Sequence, residues 1–268
     1  MNAIGALFNT VFFNPILNLL VAFYQFFLLV RIPGAFGFSV IALTVFVRLI
    51  LHPFFKQQMH TAKKMQDMKP HLDKLQAKHK KDPKKLQEEQ LRLYQEAGIN
   101  PASGCLFMIL QMPIFIALYQ TLSTFIGTNS GPGLATINKA LYFPFLKISQ
   151  IDPWFFGINL IVTPEKAGNP LYYLIPVITA VLQFFQYQVS VPAAPVTEPV
   201  AKELKEGQKE EKKDDAGDFQ KAMNTQMKFI FPLMIGWFSL RMPVGLSLYW
   251  NIFSLFSIMQ YKQMNAKK

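Results

Sequence analysis

The sequence predicts an all-α polytopic membrane protein: five transmembrane helices, an N-terminal interfacial helix and a cytoplasmic helical hairpin. Three observations lead there. Of the 268 residues, 51% are hydrophobic, only 16% are charged and 26 are Phe, too apolar a balance for a soluble domain of this length. The apolar residues gather into runs long enough to cross about 30 Å of hydrocarbon. The formal net charge of +11 sits in the segments between those runs. In a soluble protein that charge would suggest nucleic acid. Lysines placed between apolar runs point to topology and anionic lipid instead, so no direct nucleic-acid recognition is expected.

Residues 1–34 are apolar but interrupted by Asn9, Asn14, Pro15, Asn18 and Gln25. No basic stretch precedes them, and neither a small-residue cleavage site nor an early cysteine for lipidation follows, which argues against a cleaved signal peptide. A transmembrane helix and a helix lying in the interface both fit; the polar residues favour the interface. Pro15 suits a first helical turn, and Gly34 and Gly37 make the bend into the first span.

That span, residues 35–55, contains GFSVIALTVFVRLILHPFF and carries Arg48 inside its apolar run. A charge at depth costs about 2.5–3.5 kcal/mol on insertion scales, so it normally faces water or a partner and marks a functional site. Snorkelling to the headgroups is the alternative, but Leu49, Ile50 and Leu51 carry the run onward. Thr44, four residues earlier, shares the helix face of Arg48.

Residues 56–99 are charged and helix-prone. Met59, Met65, Met68, Leu72 and Leu75 recur at near-helical spacing, and Leu86, Leu91 and Tyr94 form a second stripe. Asp82 suits an N-cap, with Pro83 at the first helical position. These features read as a helical hairpin of two antiparallel arms standing in water, its longer arm kinked at Pro70. Gly98 suits a helix C-terminus, and Asn100 with Pro101 a new start.

The second span is residues 100–126, with Gln111 and Pro113 inside it. Residues 127–169 form an extracytoplasmic loop whose IDPWFFGINLIVTP stretch is too short and too polar to cross and reads as interfacial. The third span, residues 170–191, carries Gln183 and Gln186. Residues 192–222, rich in Pro, Glu and Lys, read as a disordered cytoplasmic linker. The fourth span (223–242) and the fifth (243–264) are joined by a connection fit only for a tight hairpin, and residues 265–268 form a tail.

Lysine and arginine crowd the hairpin, the linker and the tail. The opposite side holds only Arg31, Lys139, Lys147, Lys166 and Arg241. By the positive-inside rule, hairpin, linker and C-terminus are cytoplasmic in a bacterial-type cell membrane.

No phosphate-binding loop, nucleophile elbow or zinc-protease pattern occurs, and no carboxylate lies inside a span, which removes the usual materials of acid–base catalysis and proton relay. The single cysteine, Cys105, excludes an internal disulfide, and no two histidines fall three or four residues apart. Neither an enzyme nor a metal or cofactor site is expected. Thr44, Arg48, Gln111, Gln183, Gln186, Tyr249, Trp250 and Asn251 remain as the polar or amphipathic residues of the spans. For a lone Gln or Tyr, an interhelical hydrogen bond suffices as explanation. Arg48 has no acidic partner in the spans, so a water-filled cavity is its most economical stabiliser.

The run FSVIALTVFVRLILHPF, the charged hairpin, NPASGCLFMILQMPIFIALYQTL and MPVGLSLYWNIFSLFSIMQ together resemble the YidC/Oxa-type membrane protein insertases, from about Phe36 to Met264. The chain looks like a minimal core of that family, lacking a large extracytoplasmic domain, a lipoprotein cysteine and a long basic tail. The resemblance implies five helices around a hydrophilic groove, open to the cytoplasm and sealed outside. Arg48 and Thr44 would line its wall, with Gln111, Gln183, Tyr249, Trp250 and Asn251 as further groove residues. It also implies an insertase and chaperone for nascent membrane proteins that works without nucleotide hydrolysis. Ribosome, targeting factors and the Sec translocon are its further partners; the hairpin either receives them or lies on anionic lipid. A small-solute transporter or channel, and a membrane-anchored scaffold, are the rival classes.

Overall fold

Turns and helix ends in this chain fall where proline, glycine and the capping residues put them. The computed structural model describes residues 3–79, 82–98, 103–125, 132–190 and 216–266. Helix α1 runs Ala3–Leu29, with a π-helical stretch at Asn9–Phe13. Gly34, at a φ of 76° that favours glycine, turns the chain into α2, Ala35–Ile50. The polar residues that interrupt α1 hold the loop after the second span. Asn18 Nδ2 donates to the Ala140 carbonyl at 2.9 Å, and Asn18 Oδ1 accepts from the Tyr142 amide at 2.6 Å. The Tyr24 hydroxyl accepts from the Asp152 amide at 2.9 Å. On another face α1 meets α2 through Phe23–Phe46, Tyr24–Phe36 and Phe27–Phe38 ring contacts.

The helix that carries Arg48 is shorter than the sequence suggests. It stops at Ile50, and the chain bends by 70° into α3, His52–Asp67. Pro53 accounts for this, since its ring disfavours helical geometry one residue back and meets the carbonyl four residues back. Arg48 therefore stands in the last turn of α2.

The hairpin continues with α4, Lys69–Lys78, after a break at Met68, which agrees with the kink expected at Pro70. Helix α5, Pro83–Glu96, starts as expected, the Asp82 side chain accepting from the Lys85 amide at 3.1 Å. Met65, Leu72 and Tyr94 form a small core of their own, with Met68 and Leu93 packed against it. Leu91 does not join it and is 50% exposed. At about 100° per residue, Leu91 lies far round from Leu86, whereas Gln90 and Leu93 continue its stripe. Gly98 has a φ of 62°, the left-handed geometry of a helix C-terminus. Asn100 and Pro101 lie outside the described residues.

Helix α6, Ser103–Phe125, contains Pro113, and α7, Pro132–Ala140, occupies part of the segment read as loop. The apolar IDPWFFGINLIVTP stretch folds as a two-stranded antiparallel hairpin, β1 (Trp154–Phe155) with β2 (Ile158–Asn159), closed by Phe156 and Gly157 at positive φ. Helix α8 is Leu174–Ser190, α9 is Ala216–Leu240 and α10 is Val244–Ala266. The linker read as residues 192–222 is thus helical from Ala216, where alanine, glutamine, lysine and methionine carry the helix beyond its apolar part. Residues 192–215 lie outside the described residues.

One core joins the bundle. Leu17, Leu20 and Val21 of α1, Phe36 and Val40 of α2, Leu118 and Leu122 of α6, and Leu246 of α10 are all buried in it. The loop closes one end: the Val244 and Gly245 amides, orphan donors at the start of α10, donate to the Val162 and Leu160 carbonyls at 3.0 and 2.7 Å. At the opposite end, the Gln66 side chain of α3 accepts from the Tyr261 hydroxyl of α10 and donates to the Gln188 carbonyl of α8 at 3.3 Å.

Candidate functional site

A polar seam runs through the apolar bundle. Thr44 and Arg48 are buried on one face of α2, and Ser247, Ser254 and Ser257 on one face of α10; Ser39 is buried on another side of α2. The spacings fit: four residues on α2, seven, then three on α10. Thr121 of α6 and Thr179 and Gln183 of α8 are buried facing the same interior.

Arg48 lies where α2, α3 and α10 meet, and is 3% exposed. Its Nη2 donates to the Phe253 carbonyl at 2.8 Å and to the Ser257 hydroxyl, and its Nη1 donates to Gln260 Oε1 at 3.4 Å. Phe55 and Phe253 cover the guanidinium, with ring centroids 4.0 and 3.8 Å from its central carbon. Such contacts are worth about 2 kcal/mol or more when desolvated. Among the described residues, Arg48 Nε has no hydrogen-bond partner and no carboxylate forms an ion pair with Arg48.

The sequence alone points to water as the stabiliser of this charge. The structure supplies two aromatic faces, a carbonyl, a hydroxyl and an amide. The side chain turns inward to these groups, against the snorkelling alternative. The reason is local: α2 ends within a turn of Arg48, and α3 folds back to bring Phe55 over it.

The remaining sequence-derived residues divide into pairs. Gln111 Nε2 donates to the Tyr249 hydroxyl at 2.7 Å, tying α6 to α10. Gln183 Nε2 donates to the Ser254 hydroxyl at 3.2 Å, and that hydroxyl lies 2.6 Å from Gln186 Oε1 and 2.8 Å from the Trp250 carbonyl. Thr44, buried on the Arg48 face, spends its hydroxyl on its own helix, donating to the Val40 carbonyl at 2.7 Å. Trp250 stacks on Phe115 at 4.8 Å and 17°. Asn251 is half-buried, and its Oδ1 is enclosed without a partner among the described residues. The residues that touch Arg48 were not singled out by sequence reasoning. A signal existed: Phe253, Ser257 and Gln260 recur at four- and three-residue spacing on one face of α10.

A family model described as 60Kd inner membrane protein matches residues 28–268, nearly the whole chain. The chain belongs to this family. Within the 60Kd inner membrane protein family it is 32% identical to the inner membrane ALBINO3-like protein 2, chloroplastic, of Chlamydomonas reinhardtii, over 88% of this chain and 51% of that protein. It is 29% identical to the membrane protein insertase YidC of Wolinella succinogenes, over 97% of this chain and 39% of that protein. The YidC of Caulobacter vibrioides is 40% identical over 45% of this chain and 19% of its own length. The chain thus spans about half, or less, of the curated relatives it matches. The YidC/Oxa-type resemblance read from the motifs is borne out, and the mostly helical architecture agrees with an all-α membrane protein.

Proposed function

We propose that this 60Kd inner membrane protein family member is an insertase and chaperone that moves nascent membrane proteins into the bilayer without nucleotide hydrolysis. The observation that carries the reading is a buried arginine held, among the described residues, by neutral groups in an apolar bundle. Such a charge remains electrostatically unsatisfied, and a carboxylate in a passing polypeptide is its natural partner. Relatives named as insertases over most of this chain support the same reading.

Thr44, Arg48, Gln111, Gln183, Tyr249, Trp250 and Asn251 line the path, a hydrophilic groove between α2, α6, α8 and α10 that opens toward the cytoplasm. Polar residues of the client exchange water for these groups, and its apolar segment then partitions into lipid, which drives the step. Trp250 and its neighbours give sequence-tolerant contacts. Helices α2, α6, α8, α9 and α10 are the five spans, with hairpin, linker and C-terminus cytoplasmic in a bacterial-type cell membrane. Helix α1 lies along the outer face, a placement supported by its bonds from Asn18 and Tyr24 to the loop. The lysine-rich hairpin meets ribosome, targeting factors, Sec translocon or anionic lipid.

The test is insertion of a single-span protein with an acidic outer tail into vesicles holding the purified chain. Arg48→Ala lowers the yield several-fold, while Arg48→Lys, which keeps the charge and loses the planar fork, retains most of it. Full insertion by the alanine variant would overturn the reading.

A further inference from the structure

Each terminal nitrogen of the Arg48 guanidinium has a side-chain ligand from α10. Its faces are covered by Phe55 and Phe253. Gln260 accepts from Nη1, and Ser257 shares Nη2 with the Phe253 carbonyl. A carboxylate that bridges Nη1 and Nη2 in the usual two-pronged way competes with both side chains. We propose that Ser257 and Gln260 determine substrate specificity, acting as built-in neutral ligands that only an acidic group displaces with profit. This inference rests on the reading of Arg48 as the charge that meets substrate.

The physical basis is an exchange. A neutral oxygen of a client, whether amide, hydroxyl or peptide carbonyl, replaces a neutral oxygen of α10 and gains little. A carboxylate replaces the same oxygen with a charge and gains an ion pair with a largely buried guanidinium, which a neutral oxygen cannot offer. The internal ligands therefore set a threshold. Without them the buried N–H groups would be left unsatisfied, and any oxygen would be welcome. Gln260 also reaches outward, its Nε2 lying 3.2 Å from the exposed His52 Nδ1, so its amide is held from both ends and presents its oxygen to Arg48.

The experiment compares two clients, a single-span protein with aspartate in its outer tail and the same protein with asparagine there, in vesicles holding the full chain. The readout is the ratio of acidic to neutral insertion yield. The Ser257→Ala/Gln260→Leu double variant raises insertion of the neutral client and lowers the ratio about tenfold, the equivalent of about 1.4 kcal/mol. Ser257→Thr, which keeps the hydroxyl, leaves the ratio as in the native chain. Should the double variant fail to fold, Gln260→Leu alone lowers the ratio in the same direction.

An unchanged ratio in a folded double variant would overturn the inference while leaving the role of Arg48 intact. An equal fall for both clients would also overturn it, marking the two residues as structural only. Full activity of Arg48→Ala in the same vesicles would remove both this inference and the reading beneath it.

Discussion

A Cβ at Gly37 would stand 2.1 Å from the Phe155 ring, and one at Gly34 2.8 Å from it. Phe155 therefore sits on the start of α2 in a place that only a missing side chain leaves open. Gly37→Ala should destabilise the folded protein by about 1–3 kcal/mol, the usual range for overpacking. Pairing it with Phe155→Ala should cost no more than Phe155→Ala alone, since the two side chains contest one volume. Thermal unfolding of the single and double variants in detergent checks both. The sequence marked these glycines only as a bend, because the ring they accommodate lies far along the chain. The same limit applies at Arg48. A charge inside an apolar run is visible at once, but the residues that bind it follow 205–212 positions later, and nothing local announces them.

Elements were legible where their boundaries rest on local chemistry. Asp82 with Pro83 fixes the start of α5, and Gly98 ends that arm. Legibility failed where a boundary depends on a competition, as at Ile50, where apolar continuity argued for a longer helix and Pro53 prevailed. In the hairpin, Leu86 and Tyr94 of the stripe read from the sequence are buried, and Gln90 takes the place of Leu91. Tyr94 makes a testable switch of this element. Burial pushes its phenol above the ordinary value of about 10. Because the folded hairpin favours the neutral phenol, its contribution is complete below the unfolded value. It is lost as pH rises from about 10 through the higher folded value. Amide exchange in α4 and α5 should therefore accelerate above pH of about 10, and Tyr94→Phe should remove that step. A profile unchanged by the substitution would assign the alkaline loosening to other groups.

At the scale of the molecule, polar contacts gather at two ends of the bundle. Arg241 lies 3.8 Å from Glu165, and the start of α10 hangs from Leu160 and Val162. At the other end, α3 meets α8 and α10 through Gln66. The two sets share no element end. The sequence argues for sides because charge bias is additive along the chain. It left the placement of α1 open, since length and apolarity suffice for a span and the polar residues favour the interface. Thiol labelling of intact cells with an impermeant reagent separates the two placements. In a Cys105→Ser background, Lys166→Cys should react from outside and Lys85→Cys only after the membrane is opened. Ile4, well exposed at the beginning of α1, is the deciding position. If α1 lies along the outer face, Ile4→Cys reacts like Lys166→Cys. If it reacts like Lys85→Cys, α1 crosses the bilayer, and the bonds from Asn18 and Tyr24 then draw the loop into the membrane rather than holding the helix upon it.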